Sequence, residues 1–125
     1  MNFWRVVFAL AAAFNLAIGL SALFAPEFLF ALLGPPPLPY FLFVRIMGAL
    51  VAIFGIGYAM VAARPQQNRG IVWLGAIGKP VTPVILWLYV RAGLIPMTVF
   101  WPGVGDLIFA ALFAIYLVRT KATQL

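Results

Sequence analysis

Four apolar stretches, each long enough to cross a lipid bilayer and joined by short links, leave this chain almost no way to fold in water. Hydrophobic residues make up 66% of the 125 positions and charged residues 8%. A water-soluble domain of this size needs far more polar surface. Each bilayer crossing takes about 20 apolar residues, so the length suits one domain of four helices and no separate soluble domain. The fold class expected is an all-α integral membrane four-helix bundle.

The spans fall at about 3–24, 40–63, 71–90 and 98–119. Arg5 ahead of an apolar run looks like the start of a signal peptide, but the run is long enough to span and no A-x-A site closes it, so it reads as an uncleaved helix. Between the first two spans, residues 25–39 read A-P-E-F-L-F-A-L-L-G-P-P-P-L-P. Pro26 suits a first helical position and Gly34 a stop before three prolines, which predicts a short interfacial helix, too short to span. The third span carries Gly75, Gly78, Pro80 and Pro83, so a kink is expected where Pro80 and Pro83 displace the carbonyls of Ala76 and Lys79.

Several function classes are excluded by composition. There is no cysteine and no histidine, and the carboxylates are Glu27 and Asp106 alone. Disulfide chemistry, Ser-His-Asp and Cys-His catalysis, and histidine- or cysteine-held metals have no residues to work with. No metal site or cofactor is expected. The net charge of +6 comes from basic residues scattered at helix ends, not from a basic cluster with interleaved aromatics, so no nucleic-acid partner is expected. Arg5, Arg64, Arg69, Arg119 and Lys121 fall on one side of a four-span layout, and Arg91 falls in a loop on the other, with Glu27. The positive-inside rule then places both termini in the cytoplasm.

Ionisable side chains inside a membrane are costly and usually face a bundle interior or wet cavity, where they find partners. Here they are Arg45, Lys79 and Asp106. Each span carries small residues at helical steps of three and four that would let helices approach closely. The first gives Ala12, Asn15, Gly19 and Ala22; the second gives Arg45, Gly48, Ala52, Gly55, Ala59 and Ala63. The third gives Gly75, Lys79 and Thr82, and the fourth Gly103, Asp106, Ala110 and Ala114. Every such face thus includes a polar side chain, which defines a candidate centre of Asn15, Arg45, Lys79, Thr82 and Asp106. At a rise of about 1.5 Å per residue from the cytoplasmic ends, Asn15 lies about 18 Å deep, Lys79 about 15 Å, Asp106 about 20 Å and Arg45 about 28 Å. Lys79 and Arg45 have stems long enough to reach Asp106. The sum of +1 invites a ligand head carrying carbonyls or negative charge. A centre of this kind can also serve only to lock the helices together.

The segments N-L-x-I-G-L-x-A-L-F-A-P-E, R-I-M-G-A-L-x-A-x-F-G-I-G-Y, R-P-Q-Q-N-R, L-G-A-I-G-K-P and G-D-L-I-F together resemble small four-helix bacterial membrane proteins similar in layout to the DoxX-like group. That resemblance implies an accessory role near a lipid-soluble redox carrier in a membrane complex. The length and span number also suggest the small multidrug resistance transporters, but those carry an acidic residue in the first span where this chain has Asn15. The functional expectation is a non-enzymatic inner-membrane protein binding a lipid-like or quinone-like ligand, or serving as an accessory subunit. The alternative is a small oligomeric transporter or channel for an anion or a proton-coupled solute. Either reading expects membrane lipids around the chain and a homo-oligomer or a membrane-protein partner.

Overall fold

A computed structural model of the chain describes residues 2–33 and 42–120. Those residues form helices α1 (Phe3–Phe24), α2 (Pro26–Leu33), α3 (Leu42–Ala63), α4 (Arg69–Gly78), α5 (Val81–Arg91) and α6 (Trp101–Arg119), with short 3-10 turns at Gln66–Asn68 and Met97–Phe100. No strand occurs among the described residues. Four helical units are long and apolar enough to cross a membrane: α1, α3, the segment Gln66–Arg91 that contains α4 and α5, and Met97–Arg119. Gly34, the proline triplet, Tyr40 and Lys121 lie outside the described residues.

Local chemistry sets the element ends. The Asn2 side chain accepts from the Arg5 backbone N–H at 2.9 Å, a standard N-cap for α1. Pro26 opens α2, as its fixed φ and missing N–H favour. Pro80 separates α4 from α5. Its nitrogen cannot donate to the Ala76 carbonyl, and the helix breaks at Lys79 and Pro80 before resuming at Val81. The interruption falls where a kink is expected in the third span, with Lys79 in it, while Lys79 (φ −62°, ψ −35°) and Pro80 (φ −72°, ψ −22°) keep right-handed helical dihedrals.

Between apolar helices, close packing does what hydrophobic burial does in water. α1 and α3 pack along their length, and their backbones nearly touch at Gly19 and Gly48. A Cβ on Gly19 would lie 2.4 Å from the Ala52 nitrogen, and one on Gly48 would lie 2.7 Å from the Gly19 carbonyl oxygen. α6 packs against both α4 and α5. Towards the beginning of α1 the bundle is filled by rings. Phe8 meets Phe113 at 5.2 Å and Tyr116 edge-on at 5.0 Å, and Tyr58 meets Phe113 edge-on at 5.1 Å between centroids. Such pairs contribute about 0.5–1.5 kcal/mol each beyond their buried area. Large apolar side chains such as Leu10, Ile53, Leu74, Ile85 and Ile108 cover the outside.

Three of the expected inward faces are corrected at one end; on α5 the buried position is Pro83, and Thr82 is exposed. On α3 the buried positions are Gly48, Ala52, Gly55, Tyr58 and Val61, while Ala59 and Ala63 are exposed. On α6 they are Gly103, Ala110, Phe113 and Tyr116, with Ala114 exposed. At the ring-filled end there is room for aromatic side chains, so these displace the alanines from the inward face.

Three arginines hold helix ends. The last carbonyls of a helix lack intrahelical partners and carry the negative end of its dipole. Arg5 Nε donates to the Ala62 carbonyl of α3 at 2.8 Å. Arg69 donates to the Leu117 and Thr120 carbonyls at the end of α6, at 2.9 and 2.6 Å, and to Thr120 Oγ1 at 2.8 Å. Arg45 donates to the Leu23 carbonyl at the end of α1, at 2.5 Å.

Candidate functional site

Asn15, Lys79 and Asp106 arrive at one point from three elements. Lys79 is brought by the α4–α5 break, Asn15 by the inward face of α1, and Asp106 by the second turn of α6. Lys79 Nζ donates to Asn15 Oδ1 at 2.7 Å and to Asp106 Oδ1 at 2.8 Å. Asn15 Nδ2 in turn donates to the Val51 carbonyl of α3 at 3.1 Å, so the amide bridges two helices while it receives the lysine. Asn15 and Lys79 are each only 6% exposed. A buried charge needs both a counter-charge and neutral hydrogen-bond partners, and Lys79 has both.

Three rings surround the same ammonium. Its nitrogen lies 5.1 Å from the Tyr58 ring centroid, 5.3 Å from Phe14 and 5.6 Å from Phe109. These distances lie within the range of about 6 Å at which an aromatic face attracts a cation. Phe14 reaches this position because Gly105 has no side chain; a Cβ there would come within 2.6 Å of the ring. None of the three rings was singled out from the sequence. An aromatic residue in an apolar helix carries no local mark of facing a cation.

A cleft of about 350 Å³ opens beside this cluster. The bonded Asn15, Lys79 and Asp106 line it together, and Tyr58 and Thr82 line it as well. The rest of the wall is largely apolar, with Ile18, Met47, Val51, Phe54 and Leu86 among its residues. α2 lies across it through Leu29, Phe30 and Leu33. One end of α2 is tied to α3 by the Arg45–Glu27 ion pair at 3.7 Å. The other is tied to the α5–α6 connection, where the Thr98 hydroxyl donates to the Leu33 carbonyl.

The sequence-predicted residues therefore divide. Asn15, Lys79 and Asp106 form one bonded cluster, and Thr82 joins them as cleft lining without a bond to them. Arg45 stands apart. Its guanidinium is engaged by the Leu23 carbonyl and Glu27, and its side chain is 43% exposed. The expected approach of Arg45 to Asp106 does not occur, because an unpaired helix end and a carboxylate lie closer to it. Lys79 and Asp106 form a one-to-one pair, as do Arg45 and Glu27, so the centre carries no positive excess.

Among the described residues no group of histidine, cysteine, aspartate or glutamate side chains could hold a metal ion. No family model, curated protein or solved structure matches the chain.

Proposed function

We propose that the chain is a multi-pass protein of the bacterial inner membrane, with both termini cytoplasmic, that holds a lipid-like or quinone-like molecule head-first in the cleft beside Lys79 and Asp106. In this reading it performs no chemistry of its own; it retains or presents its ligand, alone or as an accessory subunit of a membrane complex. The observation that carries the reading is the segregation within the cleft. Asn15, Lys79 and Asp106 are gathered into one bonded cluster, and the remaining wall is largely apolar. Ligand sites are commonly concave and apolar with a few convergent polar groups, and 300–1,000 Å³ is their usual range, about where this cleft falls.

The charge balance refines the expected head. With Arg45 engaged elsewhere, nothing at the centre favours an anion, and an uncharged polar head matches the Lys79–Asp106 pair better. The largely apolar walls suit a tail and offer an ion little along its path.

Native mass spectrometry of the chain released from lipid nanodiscs tests this reading and reports oligomeric state in the same spectrum. The expected result is a co-purified lipid-sized adduct on wild type that is lost in Leu86→Trp, which fills the cleft from its apolar wall. An adduct that persists in Leu86→Trp, or none on wild type after loading with hydrophobic probes, overturns the reading.

A further inference from the structure

The hydrogen-bond capacity left over at the bonded cluster selects among uncharged heads. A lysine ammonium has three N–H donors and no acceptor, and an ionised carboxylate has two oxygens that only accept. Two of the Lys79 donors are used, on Asn15 and Asp106. Asp106 accepts through Oδ1, and its other oxygen has no partner among the described residues. Asp106 is also the more open member of the pair, with 20% of its side chain exposed against 5% for Lys79. Tyr58 and Thr82 also line the cleft. The pair thus has one uncommitted donor on the cation and one uncommitted acceptor on the adjacent anion among the described residues, and both residues line the cleft.

We propose that the cleft selects an uncharged amphiphile whose head bears a hydroxyl, bound by Lys79 and Asp106 together. The hydroxyl oxygen accepts from the third N–H of Lys79, and its own proton is donated to the second oxygen of Asp106. This inference rests on the cleft being a ligand site, as proposed above, and adds the chemistry of the head. A carbonyl-only head satisfies Lys79 but leaves the Asp106 oxygen facing an occupant that cannot donate. Such an orphaned acceptor costs more than a missing bond contributes. An anionic head places a second negative charge against a cation already neutralised by Asp106. A cationic head finds the rings of Phe14, Tyr58 and Phe109 already facing the Lys79 ammonium. Sites built to bond a hydroxyl reject analogues that lack its donor far more strongly than apolar walls reject a changed methylene.

Three probes with the same eighteen-carbon tail separate these heads: oleyl alcohol, methyl oleate and oleate. Each is loaded at equal mole fraction into nanodiscs holding the full chain, at neutral pH, and retention is read by native mass spectrometry. Wild type should retain the alcohol at least about tenfold better than the ester or the carboxylate, roughly the worth of one well-made hydrogen bond. In the double variant Lys79→Met, Asp106→Leu, which leaves no buried charge unpaired, retention of the alcohol should fall to that of the ester. Equal retention of alcohol and ester, or preference for oleate, both lost in Leu86→Trp, overturns the hydroxyl assignment and leaves the cleft as a ligand site. Retention of no probe, or retention indifferent to Leu86→Trp, overturns the site and this inference with it.

Discussion

Lys79 Nζ lies 2.8 Å from Asp106 Oδ1, and the contact joins the break between α4 and α5 to α6 in the middle of an apolar bundle. Removing one partner leaves the other as an unpaired buried charge, whereas removing both leaves ordinary apolar packing. Lys79→Met alone should destabilise the fold by about 3–5 kcal/mol, and adding Asp106→Leu should recover most of that loss. Reversible unfolding in mixed micelles measures both. A single variant as stable as wild type would mean that the pair is not buried as a pair.

The Gly19–Gly48 crossing makes a separate prediction. A Cβ at Gly19 would meet backbone atoms of α3, at 2.4 Å for the Ala52 nitrogen and 2.7 Å for the Gly48 oxygen, and backbone cannot swing aside as a side chain can. Gly19→Ala should therefore cost about 1–3 kcal/mol, and Gly19→Val more, by forcing α1 away from α3. At Gly70 a Cβ meets nothing within 4 Å, so Gly70→Ala serves as a control. The same unfolding assay reads both, and equal stability of Gly19→Ala and Gly70→Ala would show that the two helices do not approach this closely.

The sequence made the helical layout legible because the lengths of the apolar runs and the turn at Arg64-Pro-Gln-Gln-Asn-Arg leave few alternatives. It also exposed Asn15, Lys79 and Asp106, because a polar residue on a small-residue face is conspicuous in an otherwise apolar helix. The role of Arg45 was not legible. Its partners, the Leu23 carbonyl and Glu27, depend on where α1 ends and α2 turns back, which is a tertiary matter. Nor was the exchange of Ala59 for Tyr58 or of Ala114 for Phe113. Both members of each pair fit a helical repeat, and what decides between them is how much space the neighbouring helices leave. The rings around Lys79 were hidden for the same reason.

Arg69 is the most heavily bonded of the arginines at helix ends, with contacts to the Leu117 carbonyl and to both oxygens of Thr120. Its guanidinium also lies 5.6 Å from the Tyr116 ring centroid. Hydrogen bonds that involve a charged group contribute about 1.5–3 kcal/mol, so Arg69→Ala should destabilise by roughly that amount and loosen the end of α6. Lysine keeps the charge but not the planar fork, so Arg69→Lys should recover only part of the loss. Hydrogen exchange across residues 113–120, read by mass spectrometry, should rise in the alanine variant. Unchanged protection there would remove Arg69 as the anchor of α6.

The proposed cytoplasmic placement of the chain's ends rests on charges that the fold partly conceals. Arg5 and Arg69 are engaged with helix carbonyls, yet the positive-inside bias acts while segments insert, before those bonds form. All the basic residues at that end therefore count, against Arg91 at the other. The chain has no cysteine, so a single introduced thiol reports without background. Gln66→Cys, in the turn between α3 and α4, should be protected from a membrane-impermeant maleimide in intact cells and labelled after permeabilisation. Ala92→Cys, in the turn after α5, should be labelled in intact cells. The reverse pattern would place both termini outside the cytoplasm, and labelling at both positions in intact cells would overturn the alternating four-span arrangement itself.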